Sequence, residues 1–265
     1  DPRLYETVIV NGGLPTLDWT TAAMTGTPYE TWVGGSTGGT NSQDETGTFA
    51  TGYRNLKYSF DEYGGHGLQW ATIRLSDVYL MYAEALIQTN TSGNYQDAIE
   101  WIDKVRARVG LKGLVECNPD KDLLHDQDLL MQELFRERAC ELGFENARYM
   151  DLVRYKMKSI FEKPLHGMRI YRMVKNPTTG KFERCNMQWY KAGKGQTFTC
   201  SDGTKVKVAY KDGIQQPTVF EYEKFELNKG KRLWWTQGFD PKWYLTPFKT
   251  TEINKGYGLV QNPGW

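Results

Sequence analysis

The chain has 265 residues, with 33 Lys and Arg against 32 Asp and Glu, and the resulting net charge of +1 gives no global pull toward nucleic acid. Mean hydropathy is −0.62, and no stretch approaches the ~18 consecutive apolar residues of a membrane-spanning helix. The length suffices for one large core or two small ones, and 14% aromatic residues, nine Trp and sixteen Tyr among them, supply flat faces for stacking as well as core.

The sequence opens Asp1-Pro2-Arg3-Leu4-Tyr5, with no charged-then-apolar leader, and reads like the middle of a protein. The expectation is a removed leader or a missing first half. Residues 1–69 form a loop-rich segment of Gly, Thr and Ser with scattered aromatics. Thr7 to Val10 predicts a short extended piece, and residues 34–48 carry too little apolar area to bury. Trp19, Tyr29 and Trp32 sit in this segment, and loops on a rigid scaffold often carry binding residues.

Residues 70–162 read as a helical scaffold. A helix is predicted over 73–89, with Val78, Met81, Tyr82 and Ala85 on one face at i, i+3, i+4 and i+7. Small Ala83 and Ala85 let a second helix approach closely. Gly93-Asn94-Tyr95 breaks the first helix, and Asn94 is placed to cap a second over 95–109. Ala98, Ile102, Val105 and Val109 line that helix, and Gly110 supplies a left-handed cap. Together they predict an αα-hairpin whose residue order is similar to a tetratricopeptide unit. Such a unit cannot bury its face alone. A third helix is predicted from Asp126, its cap, to Leu142, with Leu130, Leu134, Phe135 and Leu142 inward. Gly143 ends it, and Asn146 caps a short fourth that runs to about Lys158.

Residues 163–232 change character. They hold 15 Lys and Arg against 6 Asp and Glu, a net of +9, so the remainder of the chain carries −8. Turns are signalled at Asn176 to Gly180 and at Ser201-Asp202-Gly203, and alternation on both sides of the second predicts a β-hairpin. This is a basic β-rich insertion with its own role or partner, set against the plainer reading of solvated lysines protecting strand edges. The tail, 233–265, is irregular but apolar and is expected to pack on the helices with Trp265 as a buried plug. Trp70 and Trp101 are expected in the core.

The chemical motifs are weak. Gly34-Gly-Ser36-Thr-Gly38 matches a nucleophile-elbow pattern, but Gly and Thr follow where a helix is needed, so a flexible Gly loop is the better reading. His66, His125 and His166 are isolated from one another and from Cys. Asp44/Glu45 and Asp61/Glu62 read as solvated loop carboxylates rather than a glycosidase pair. No cysteine shows metal-site spacing. Cys117 lies in a loop, Cys140 is expected to be a buried thiol, and Cys185 and Cys200 share one β-rich segment in which they can pair. The group Arg136, Glu137, Arg138, Glu141, Arg148, Asp151 and Arg154 is read as a structural ion network. Neither a catalytic residue nor a metal ligand nor a cofactor is assigned.

Several ordered stretches resemble a known family. Ile73 to Ala85, Glu137 to Glu145, Arg148 to Arg154, Tyr244-Leu-Thr-Pro247 and Gln261-Asn-Pro-Gly-Trp265 look like the C-terminal half of SusD/RagB-type nutrient-binding lipoproteins. Asp1-Pro-Arg3 fits the point where that half begins. The resemblance implies a mainly α, SusD-like fold, with tetratricopeptide-like helical hairpins, long loops and a small β-rich insertion. It also implies a non-enzymatic protein on the outer-membrane surface of Bacteroidota, anchored by lipid on an N-terminal Cys. There it would capture an oligosaccharide and lid a SusC-type TonB-dependent transporter. Some family members take peptides instead, and a glycoside hydrolase is the more distant alternative. By position in the family, Trp19, Tyr29 and Trp32 are the candidate glycan platform. The anchoring Cys and the helix-repeat half are absent from this sequence. The hairpin at 73–109 is therefore expected to be the last repeat of an array, with Val78, Met81, Tyr82 and Ala85 as half of an interface.

Overall fold

The structure is a computed structural model that describes residues 1–11, 31–34, 51–57, 70–186, 196–208, 219–227 and 236–265. Helix α1 spans Arg3–Thr7 and runs into strand β1, Val8–Ile9, which pairs antiparallel with β2, Arg54–Asn55. Of the extended piece expected at Thr7 to Val10, Val8 and Ile9 form a ladder strand, while Thr7 closes a helical turn the sequence did not signal.

Helix α2, Leu75–Thr89, and α3, Gln96–Ala107, form the predicted hairpin. Its turn is held by side chains. Asn90 Oδ1 accepts from the Ser92 and Gly93 N–H groups, and Asn94 Oδ1 accepts from Gln96 N–H at 2.9 Å. At the far end Gly110 takes φ +73°, and Leu111 N–H reaches back to Arg106 O at 3.1 Å, so the left-handed cap forms as expected. A short helix α4, Leu114–Cys117, precedes α5, Gln127–Glu141, whose first turn is capped by Asp126 accepting from Leu129 N–H.

The core lies between these helices. Leu80, Ala83 and Ile87 of α2 meet Ala98, Ile102 and Val105 of α3 and Leu130, Leu134 and Phe135 of α5. Val78, Met81, Tyr82 and Ala85, on the face of α2 opposite this set, are exposed. Trp101 packs against the core edge, where Tyr79 and Tyr82 meet it edge-on at 4.9 and 5.1 Å. Trp70, expected inside, is about half exposed because it lies in the irregular lead-in to α2, outside the packed turns. Cys140, also expected inside, is exposed on α5.

The predicted fourth helix is two short ones, α6, Ala147–Arg154, and α7, Lys158–Phe161. Between them Lys156 adopts φ +49°, which turns the chain out of the helix. Asn146 stands at the N-cap of α6 as expected, but in a left-handed conformation and without a side-chain cap bond.

Strand β3, His166–Lys175, is the centre of a three-stranded antiparallel sheet between β4, Phe182–Arg184, and β7, Val219–Glu226. The β3–β4 turn is the one signalled at Asn176 to Gly180. Buried Asn176 closes it, its Oδ1 accepting from the Thr178 and Thr179 N–H groups. The hairpin predicted around Ser201-Asp202-Gly203 is β5, Gln196–Thr199, against β6, Lys205–Val208. The cations of the sheet are in part paired with β7: Arg184 bridges Glu221 at 2.6 Å and Glu223 at 3.2 Å.

In the tail a 3-10 turn, Pro241–Tyr244, precedes α8, Thr250–Ile253. Phe239 is buried and stacks on Phe161 of α7, ring centroids 4.6 Å apart, and its N–H donates to Glu162 Oε1. Trp265 is not a plug. It is 45% exposed and acts as a tie, its indole N–H donating to Lys242 O and Leu245 O.

Candidate functional site

Of the three aromatic residues proposed from sequence, Trp19 and Tyr29 lie outside the described residues. Trp32 is described and is fully buried, which removes it from any ligand platform. It packs on Phe220 at 5.2 Å under the β3–β7 pair, and the following N–H, of Val33, donates to Ile170 O. Gly34 explains how the chain gets so close. Its φ is +86°, and a Cβ there would stand 2.4 Å from Asn186 O. Composition made this stretch look like loop; a bulky ring seated on a sheet is what it contributes. Ser36, His66, Asp44, Glu45, Asp61 and Glu62 also lie outside the described residues. His125 is exposed and bonds Asp122 at 2.9 Å, and His166 is exposed at the start of β3.

The densest polar constellation is the one around α5. Glu137 and Glu141 are one turn apart and share a face, so both carboxylates need cations from elsewhere. Arg3, from α1, gives Nη1 to Glu137 at 2.6 Å and to Glu141 at 3.1 Å, while Asp1 holds its other edge. Arg106, from α3, completes Glu137 at 2.9 Å. Arg74 and Arg108 complete Glu141 at 3.0 and 2.8 Å. Arg74 continues to Glu145, which Lys57 also contacts. On the opposite side Arg138 joins Asp151 at 2.8 Å and Asp77 at 3.1 Å. Arg154 grips Glu84 with both nitrogens, and Tyr155 donates to the same carboxylate at 2.6 Å.

Burial pushes the Glu141 carboxyl up, but the bonds from Arg3 and Arg74 and the charge of Arg108 outweigh it and hold the group below the usual range. Glu84 follows the same pattern, with burial opposed by Arg154 and Tyr155. Burial, then the Glu84 bond and charge, push the Tyr155 phenol up to about 12. At neutral pH these carboxylates accept hydrogen bonds; neither is poised to give up a proton.

An open cleft of about 560 Å³ lies over this network, walled by Arg3, Lys57, Arg74, Arg108, Glu6 and Glu141. Among the described residues that line it none is aromatic. These described residues offer charged hydrogen-bond partners and no face for a sugar ring. The geometry is that of an ion network tying α1, α2, α3 and α5 together, which is the reading the sequence favoured. Sequence reasoning missed the cations Arg3, Lys57, Arg74, Arg106 and Arg108. The signal was available in the Glu137–Glu141 spacing, which demands partners from other segments.

Glu183, Cys200 and Asp202 bring ligand-type atoms within 4.8 Å of one another. Those oxygens are already used by the turn: Glu183 accepts from Asn176 Nδ2 and Ser201 N–H, and Asp202 from Thr204 N–H. The cluster fastens two hairpins.

The other conspicuous surface is apolar. Leu75, Val78, Met81 and Tyr82 lie exposed along the outer side of α2, and Ile73 is exposed just before it. No helix among the described residues is long and apolar enough to cross a membrane.

Comparison with known proteins agrees with this architecture. The chain matches, over its full length, the solved structure of a SusD-like protein from Bacteroides fragilis NCTC 9343, with a TM-score of 0.63 and 20% sequence identity. It spans 39% of that protein's length. No curated protein matches the sequence. A model of the SusD family matches residues 1–265, and the chain therefore belongs to the SusD family.

Proposed function

We propose that this chain is the C-terminal part of a non-enzymatic cell-surface protein that captures oligosaccharides. In this reading it closes over a SusC-type TonB-dependent transporter in the outer membrane, to which a lipid anchor elsewhere in the polypeptide holds it. Membership of the SusD family over the whole chain is the observation that carries this reading. The exposed α2 stripe supports its architectural half: an unpartnered apolar face on a helical hairpin is what the end of a helix-repeat array presents when its neighbouring repeat is elsewhere. With Trp32 in the core, Trp19 and Tyr29 remain as candidate platform residues. Sugar C–H faces lie on such rings while hydroxyls take polar partners.

The experiment is a glycan and peptide array probed with the full-length polypeptide, followed by calorimetry and timed chromatography of any oligosaccharide bound. Oligosaccharide binding without turnover is the expected result. Binding confined to peptides replaces the cargo with the second one known in the family, and release of sugar fragments overturns the non-enzymatic reading.

A further inference from the structure

Cys185 directly follows β4, and its N–H donates to Arg172 O at 2.8 Å, so the β3–β4 ladder continues one pair beyond Met173 and Arg184. Glu183 and Cys185 are two residues apart on this strand and face the same side of it. The β5–β6 turn docks on that side. Ser201 N–H donates to Glu183 Oε2 at 2.7 Å, and the Thr178 and Thr204 hydroxyls meet at 3.2 Å. Cys200, the residue before Ser201, is thereby brought to the strand face that carries Cys185. Both cysteines are buried, at 1% and 3% exposure, whereas Cys117 and Cys140 are exposed. Burial raises the Cys200 thiol above its usual range, with Glu183, Asp202 and Cys185 itself adding to the rise, which places the two sulfurs within each other's field.

We propose that Cys185 and Cys200 are a disulfide-forming pair that locks the β5–β6 hairpin onto the β3–β4–β7 sheet. Both are thiols in this structure. The link forms by thiol–disulfide exchange with a small disulfide donor. One cysteine sulfur attacks the donor's S–S bond and releases one donor thiol. The second cysteine sulfur then attacks that mixed disulfide and releases the other. The two protons leave with the donor thiols, and the donor is reduced by the electron pair the cysteines lose. A two-stranded hairpin is marginal by itself, so a covalent tie at its turn has a definite physical role. The tie would keep the turn, with Asp202 and Thr204, docked at Asn176 and Glu183.

The full chain is equilibrated with oxidised glutathione, denatured without reductant, alkylated and mapped by mass spectrometry. The expected product is a Cys185–Cys200 linked peptide, two mass units lighter than the two thiol peptides together, with no such link to Cys117 or Cys140. Amide exchange over residues 196–208 should be at least about tenfold slower in the oxidised chain than in the reduced one, as expected for closing a loop of this size. Alkyl label or separate glutathione adducts on both cysteines overturns the proposal. So does a reductant-dependent change in the same amides that persists in a folded Cys185→Ala/Cys200→Ala chain.

Discussion

Arg3 Nη1 stands 2.6 Å from Glu137 Oε1, across 134 residues of sequence, and both side chains are almost wholly buried. The contact ties α1 to the central helix α5. Its neighbours are all charged: Glu137 also takes Arg106, and Arg3 also takes Glu141 and Asp1. A network of this kind costs desolvation on every member, so its removal is worst when only one partner goes.

Glu137→Gln is therefore expected to lower stability by about 3 kcal/mol, because it leaves two buried guanidinium groups short of a counter-charge. The paired change Arg3→Met/Glu137→Leu should cost less than the sum of its single changes. Urea unfolding of the four proteins measures this. Additive losses would show that the two residues are not coupled, and would remove α1 from the cooperative unit.

Acid should act through the same residues. Glu84 and Glu141 are held below their usual 4.5 in the folded protein. As pH falls through that value the unfolded chain takes up protons first, so it binds more protons than the native state and stability drops. Melting temperature should be level from pH ~7 to ~5 and then fall steadily below about 4.5. Glu141→Gln should melt lower at neutral pH, with the gap to the parent closing as the pH is lowered. A gap that stays constant down to pH ~3 would deny Glu141 its part in acid unfolding.

Much of this fold was legible because it rests on periodicity and capping. The α2–α3 hairpin, the Asp126 cap, the Gly110 terminus and the β5–β6 hairpin follow from local spacing and turn chemistry, which tertiary context did not override. The misses share a cause. Trp32 and Trp265 were assigned from their company in the sequence, yet their burial is decided by remote partners: Phe220 for Trp32, and Lys242 and Leu245 carbonyls for Trp265. Cys140 was placed inside because it sits on a helix with a buried face, but it lies on the other face. The ion network was half legible. Its acids share one helix, while the cations come from segments that no local pattern connects to them.

The apolar side of α2 makes a separate prediction. A chain that presents an uncovered row of Ile73, Leu75, Val78, Met81 and Tyr82 should self-associate when expressed alone. Met81→Lys/Tyr82→Glu should reduce that association in sedimentation experiments and lower the stability of the isolated chain by no more than about 1.5 kcal/mol, the scale of the Tyr82 edge contact with Trp101, since both residues are about half exposed here. The same double change in the full-length polypeptide should be strongly destabilising. An equally small effect there would mean that no neighbouring helix covers the stripe.

The aromatic residues can be sorted by one paired measurement. Trp32 fills the space beneath Phe220 and Arg172, so Trp32→Ala should lower stability by about 3–5 kcal/mol. Any loss of ligand affinity it causes should be recovered at a temperature or osmolyte concentration where the variant is fully folded. Trp19→Ala and Tyr29→Ala should do the reverse. On a stacking platform each removes about 1–3 kcal/mol of oligosaccharide binding, taking base–aromatic stacking as the scale, while unfolding stays near that of the parent. The physical distinction is where the ring's partner sits. A core ring meets its own chain and its loss is felt without ligand, whereas a platform ring meets water until the sugar arrives. Calorimetry beside denaturant unfolding separates the two for each residue, and unchanged affinity in both Trp19→Ala and Tyr29→Ala would move the platform elsewhere on the polypeptide.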